Sequence, residues 1–177
     1  QLGIIYVARG AAYFAKGQRE NAIADYDQAV KLDHRIVKAY LQRGSAYAML
    51  GQYDKAIQNF NTAISLNQLE DFAYFSRGYA YYKKRRYTVA IDDYNKAIAL
   101  KPSDASYYLF RGDAYNDMGQ PEKAIENYGK AIDMNINNTA VYVSRGISYS
   151  NQGKYDLAAK DYSRAITIDK NCAYAFF

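Results

Sequence analysis

The dipeptide Arg-Gly recurs at Arg9-Gly10, Arg43-Gly44, Arg77-Gly78, Arg111-Gly112 and Arg145-Gly146, and every interval is 34 residues without insertion or deletion. A fixed period of this length means one supersecondary unit copied along the chain, each copy relying on its neighbours to cover its apolar face. Five units follow, at roughly 3–36, 37–70, 71–104, 105–138 and 139–172. A tyrosine stands four residues before each glycine (Tyr6, Tyr40, Tyr74, Tyr108, Tyr142) and another three residues after it (Tyr13, Tyr47, Tyr81, Tyr115, Tyr149). Spacings of four and three fall on one face of an α-helix, so the first half of each unit is expected to be an amphipathic helix.

The second half of each unit carries Ala22, Ala56, Ala90, Ala124 and Ala158, then Tyr26, Phe60, Tyr94, Tyr128 and Tyr162 four residues later, then Ala29, Ala63, Ala97, Ala131 and Ala165 after three more. This predicts a second amphipathic helix whose aromatic rings fill the space left by small residues on its partner. Gly17, Gly51, Gly119 and Gly153 separate the two helices and suit a left-handed residue that ends the first. Asp54, Thr88, Glu122 and Asp156 then open the second helix, as caps or as first-turn groups facing the positive end of its dipole. Pro121 fits a first turn, where no amide partner is lost. The fold class expected is all-α, as one domain over 1–177.

The 34-residue period and the Tyr-x-x-Arg-Gly-x-Ala-Tyr, Ala-Ile and Tyr-x-x-Ala-Ile signatures resemble tetratricopeptide repeats, over about 170 of the 177 residues. The resemblance implies a right-handed α-α superhelical solenoid of five helix-turn-helix repeats, without catalytic activity or cofactor, that binds another protein. Departures are few: the closing proline appears only as Pro102, Arg85 replaces the turn glycine of the third unit, and Ala159 replaces the isoleucine seen as Ile23, Ile57, Ile91 and Ile125. Softer packing is expected in the fifth unit.

Positions with the same chemistry in all units are explained by stacking, and positions that vary are free for function. On the first helices a variable stripe lies six and three residues before the glycine and one, four and five after it. The resemblance implies that this face lines a concave groove. The stripe gives Lys38, Leu41, Ser45 and Met49 in the second unit, and Phe72, Phe75, Tyr79, Tyr82 and Lys83 in the third. It gives Leu109, Asp113, Asn116 and Asp117 in the fourth, and Val143 and Ile147 in the fifth. An exposed aromatic centre beside one cation and a carboxylate pair suits a peptide or helix with apolar anchors and at least one basic residue. The clamp of the family's chaperone-tail binders is absent, because its positions hold residues such as Val7, Ala11, Gln42, Phe72 and Ser76.

Two other features invite ligand readings. The repeated arginines could form a phosphate ladder, but Asp25, Asn59, Asp93, Asn127 or Asp161 follows each by sixteen residues, which predicts pairing within the unit. Lys83-Lys84-Arg85-Arg86 is the only dense basic run; at the turn between two helices it is expected to be solvated, because like charges repel. The net charge of +5 is permissive of acidic partners and makes nucleic acid an unfavoured one. Cys172 and His34 are each alone, and no catalytic triad, phosphate loop or metal-ligand spacing occurs. No stretch approaches the roughly 18 apolar residues of a membrane span, so a soluble chain is expected. Neither end carries a polar capping helix, and Ala173-Tyr174-Ala175-Phe176-Phe177 reads as the opening of a further unit, so stacking through the ends is the alternative function.

Overall fold

The structure is a computed structural model that describes residues 1–134 and 138–169. The polar run Asn135-Ile136-Asn137, Cys172 and the predicted opening of a further unit at 173–177 lie outside the described residues. Among the described residues there are ten helices and no strand. They group into two compact units, residues 1–100 and 101–177.

The first unit holds three hairpins: α1 (Leu2–Ala15) with α2 (Arg19–Leu32), α3 (Val37–Met49) with α4 (Tyr53–Leu66), and α5 (Asp71–Lys83) with α6 (Tyr87–Leu100). Each hairpin leans on the next, α2 against α3 and α4 against α5, while the first helices α1, α3 and α5 also touch in sequence. The second unit repeats the plan with α7 (Ala105–Asp117), α8 (Pro121–Asp133), α9 (Thr139–Asn151) and α10 (Tyr155–Ile168), α8 packing on α9.

Close approach within each hairpin explains the glycine of the Arg-Gly pair. A Cβ added at Gly10, Gly44, Gly78, Gly112 or Gly146 would come within 2.5–2.8 Å of a ring carbon of Tyr26, Phe60, Tyr94, Tyr128 or Tyr162 respectively. That is inside van der Waals contact, so the missing side chain sets the distance at which the helices pack. Tyr26, Phe60, Tyr94 and Tyr128 are in consequence almost wholly buried, flanked by Ala residues at zero exposure.

The turns follow from hydrogen bonding. Gln18, Gln52, Arg86, Gln120 and Lys154 each donate a backbone N–H at 2.9–3.0 Å to the carbonyl of Tyr13, Tyr47, Tyr81, Tyr115 or Tyr149, closing the same helix end five times. The closure places the preceding residue in the left-handed region: Gly17, Gly51, Gly119 and Gly153 at φ 71–77°, and Arg85 at φ 58°. Asp54, Glu122 and Asp156 sit in the first turns of α4, α8 and α10 and do not cap them; Gln52, Gln120 and Lys154 occupy the cap positions without a side-chain hydrogen bond. Side-chain caps occur elsewhere, where Asp104 accepts from the Ser106 N–H at 3.2 Å and Asn138 from the Ala140 N–H at 2.9 Å.

Candidate functional site

The repeat arginines are structural. Arg9, Arg77 and Arg145 each donate twice to the carboxylate sixteen residues on, Asp25, Asp93 and Asp161, at 2.6–2.9 Å. Arg43 and Arg111 donate to the amide oxygens of Asn59 and Asn127 at 2.7 and 2.8 Å. Two reach backward as well: Arg43 to Asp27 at 2.5 Å and Arg77 to Asn61 at 2.7 Å, each on the second helix of the preceding hairpin. The guanidinium thus ties its own hairpin to the one before it, a link that the sixteen-residue spacing toward Asp25 and its equivalents did not reveal. Partner chemistry sets proton affinity: the Asp93 carboxylate raises the Arg77 pKa, whereas Arg111, facing an uncharged amide, is lowered by burial. Guanidiniums paired in this way are engaged inside the repeat and do not form a phosphate ladder.

The variable stripe of the first unit does form an open groove. Its volume is about 720 Å³, and its walls include Lys38, Leu41, Ser45 and Met49 from α3 and Phe72, Phe75 and Tyr79 from α5. Phe72 is 45% exposed and Met49 60%, while Phe75 and Tyr79 are half-buried. The Phe75 ring centroid lies 6.2 Å from Phe72 and 5.9 Å from the buried Tyr94, so the groove wall is anchored to the hairpin core. Leu41 packs against the cluster of Ala56, Ile57, Phe60 and Ala80 and shows the groove one edge. Tyr82 and Lys83 stand beyond the groove itself; the Tyr82 ring packs 5.6 Å from Tyr87, and Lys83 Nζ lies 5.3 Å from the Tyr79 ring centroid.

Phe14, Val37, Gln42, Phe60, Glu70 and Ser76 also line the groove. Phe60 carried a signal: it is the one unit in which the buried tyrosine has lost its hydroxyl. In the first unit that hydroxyl is used, since Tyr26 donates to Gln42 at 2.9 Å and burial pushes its pKa to about 12.

In the second unit the expected site residues separate into two groups. Leu109 and Val143, expected on the open face, are buried at 7% and 8%. The position three before the glycine turns toward the hairpin's own second helix, as the packing of Val143 on Ala165 shows. Asp113 accepts from the Tyr128 hydroxyl at 2.9 Å, and burial pushes its pKa up to about 6, with the neighbouring Asp117 adding to the rise. Asn116 accepts from Ser148 at 2.9 Å. Asp117 and Ile147 are exposed. Among the described residues no three His, Cys, Asp or Glu side chains gather into a metal-binding group, and no helix is long and apolar enough to cross a membrane.

Models of the TPR repeat match residues 10–51 and 112–153, and tetratricopeptide repeat models match 41–105 and 139–172. The chain belongs to the tetratricopeptide repeat family. The tetratricopeptide chain is similar to the solved structure of MamA, with 30% identity over 93% of this chain and 96% of that one and a TM-score of 0.83. A MamA from Desulfovibrio magneticus RS-1 shares the fold at 22% identity, covering 98% of each chain with a TM-score of 0.87. So does YrrB, described as a TPR protein with an unusual peptide-binding site, at 19% identity over 96% of this chain and 88% of that one and a TM-score of 0.77. No curated protein sequence matches. Membership of the family makes the chain a protein–protein interaction scaffold of all-α repeats.

Proposed function

We propose that the chain is a non-enzymatic scaffold that holds a peptide or helical segment of a partner in the groove between α3 and α5. The observation that carries this reading is the wall of exposed Phe72 and Met49 and half-buried Phe75 and Tyr79 around an open volume of about 720 Å³. Apolar surface left uncovered by stacking, on rings with few rotatable bonds, is what a protein interface is built from. The basic complement expected of the partner rests on Asp113 and Asp117 of α7, and of that pair only Asp117 is exposed; the groove reading does not depend on it. Selection from a displayed random-peptide library, with wild type and a Phe75→Ala, Tyr79→Ala double variant, tests the proposal. Peptides with apolar anchors are expected to be retained by the wild type alone, and equal retention by both proteins would remove the groove from the function.

Self-association is a second reading with its own observation. Ala39 and Ala73 are fully buried beneath the preceding hairpin, whereas the equivalent Ile5 is 62% exposed, and Arg9 has one carboxylate partner where Arg43 and Arg77 also reach backward. The outer face of α1 is thus apolar and exposed, through Leu2, Ile4 and Ile5. Light scattering that rises with protein concentration in the wild type, but not in Ile5→Glu, is the result this reading requires.

A further inference from the structure

We infer that the occupant of the first unit's groove is an acidic peptide segment, its apolar anchors against Phe72, Phe75 and Tyr79 and its Asp or Glu residues at the basic turn Lys83–Arg86. The inference rests on the groove reading and adds the charge and direction of the ligand.

Charge is partitioned along the chain. Residues 1–100 carry fourteen Lys and Arg against nine Asp and Glu, while residues 101–177 carry nine of each, so the whole excess of +5 lies in the unit that holds the groove. Within that unit four of the fourteen cations are consecutive, at Lys83–Arg86. Lys38 and Glu70 share the end formed by the helix N-termini, with Asp71 beside them. At the other end α5 runs out into Lys83, Lys84, Arg85 and Arg86, all exposed, against which Asp54 is the acidic group, paired to Lys84. Lys83 lies over the ring of Tyr79, a groove wall, so aromatic surface and cation are continuous.

Arg85 supplies an independent observation. Four of the five hairpin turns place glycine in the left-handed region at φ 71–77°, and the fifth places Arg85 there at φ 58° while closing the same Arg86 N–H to Tyr81 carbonyl bond at 2.9 Å. The turn needs no side chain at that position, and a Cβ there is strained. Strain kept against the local rule marks a side chain with a use elsewhere. Arg85 Nε donates to the Tyr87 hydroxyl at 3.2 Å, which orients a guanidinium that carries further N–H donors suited to a carboxylate. Nucleic acid is the poorer fit, since the one dense basic run is a single turn and the arginines of the repeats are engaged by Asp and Asn.

Random dodecamers displayed on phage, selected on the wild-type protein, supply the probe, and the most enriched sequence is then synthesised with a fluorophore for anisotropy titration. The pool is expected to carry Asp or Glu to one side of an apolar pair. The synthetic peptide should bind Arg85→Gly about threefold and Lys83→Gln, Arg85→Gly about tenfold more weakly than wild type, with the difference shrinking at high salt. Arg85→Gly restores the residue used by the other four turns, so it should melt no lower than wild type, and a loss of binding in it cannot be a loss of fold. Enrichment of apolar peptides without acidic residues, with binding abolished by Phe75→Ala, Tyr79→Ala, leaves the groove standing and overturns the charge assignment. Acidic peptides that bind the groove variant as tightly as wild type overturn the groove reading and this one together. Absence of any enrichment, unchanged affinity in the Lys83 and Arg85 variants, or displacement of the peptide by a single-stranded oligonucleotide also overturns it.

Discussion

Arg77 shows why one residue can hold a repeat together. Its guanidinium meets Asp93 on α6 and Asn61 on α4, and the Asp93 side chain is only 6% exposed. Burial raises the Asp93 pKa and the arginine partly reverses the rise. Arg77→Met therefore leaves a buried carboxylate without its cation, which costs about 3 kcal/mol near neutral pH. The loss should be smaller at pH 4, where Asp93 without its cation takes up a proton. Urea unfolding at the two pH values checks this, and unchanged stability with lost peptide binding would return the arginine to a ligand role. Asp113 makes the opposite case. Its pKa of about 6 in the folded chain exceeds the ordinary carboxylate value, so its contribution to stability is fully present near pH 4 and is lost as pH rises through 6. Asp113→Asn keeps an acceptor for the Tyr128 hydroxyl, and it should exceed wild type by about 1–2 kcal/mol at pH 8 while matching it near pH 4. Equal midpoints at pH 8 would show that the carboxylate is solvated there.

The hairpin is the element that repeats, and its geometry is set where small meets large. Gly44→Ala drives a Cβ to 2.7 Å from Phe60, whose ring is fully buried and cannot move aside, so a cost of about 1–3 kcal/mol is expected in denaturant unfolding. The same substitution at Gly129, a half-buried position in α8, offers no such contact, because nothing lies within 4 Å of a Cβ there; Gly129→Ala should leave stability equal or higher. This element was almost fully legible in the sequence, since the spacing of Arg, Gly and Tyr reports on contacts made between neighbours in every copy. What did not repeat was harder to read. Leu109 and Val143 shared a stripe with exposed residues, yet that stripe is wide enough to straddle the boundary between open face and hairpin core. Of the two readings open for the first-turn acids, cap or dipole partner, Asp54, Glu122 and Asp156 take the second, because Gln52, Gln120 and Lys154 stand at the cap positions. Ala159 is exposed where Ile57 and Ile91 are buried, which fits the thinner packing expected in the fifth repeat.

At the scale of the whole molecule, stability in a repeat chain is a sum of local terms, so a ligand that touches two hairpins stabilises those hairpins first. The groove belongs to the unit of residues 1–100, and its walls come from α3 and α5, anchored through Phe75 to Tyr94 of α6. Hydrogen exchange with saturating peptide is therefore expected to slow in residues 37–49, 71–83 and 87–100, and to change little in 139–151 and 155–168. The charge partition gives the same experiment a second axis, because a ligand drawn by the excess of +5 should lose its protective effect at high salt while an apolar ligand would keep it. Protection spread evenly over all ten helices would mean that the peptide is read by the solenoid as a whole. Protection confined to 139–168 would move the binding face to the second unit, where Asp117 and Ile147 are the exposed members of the stripe.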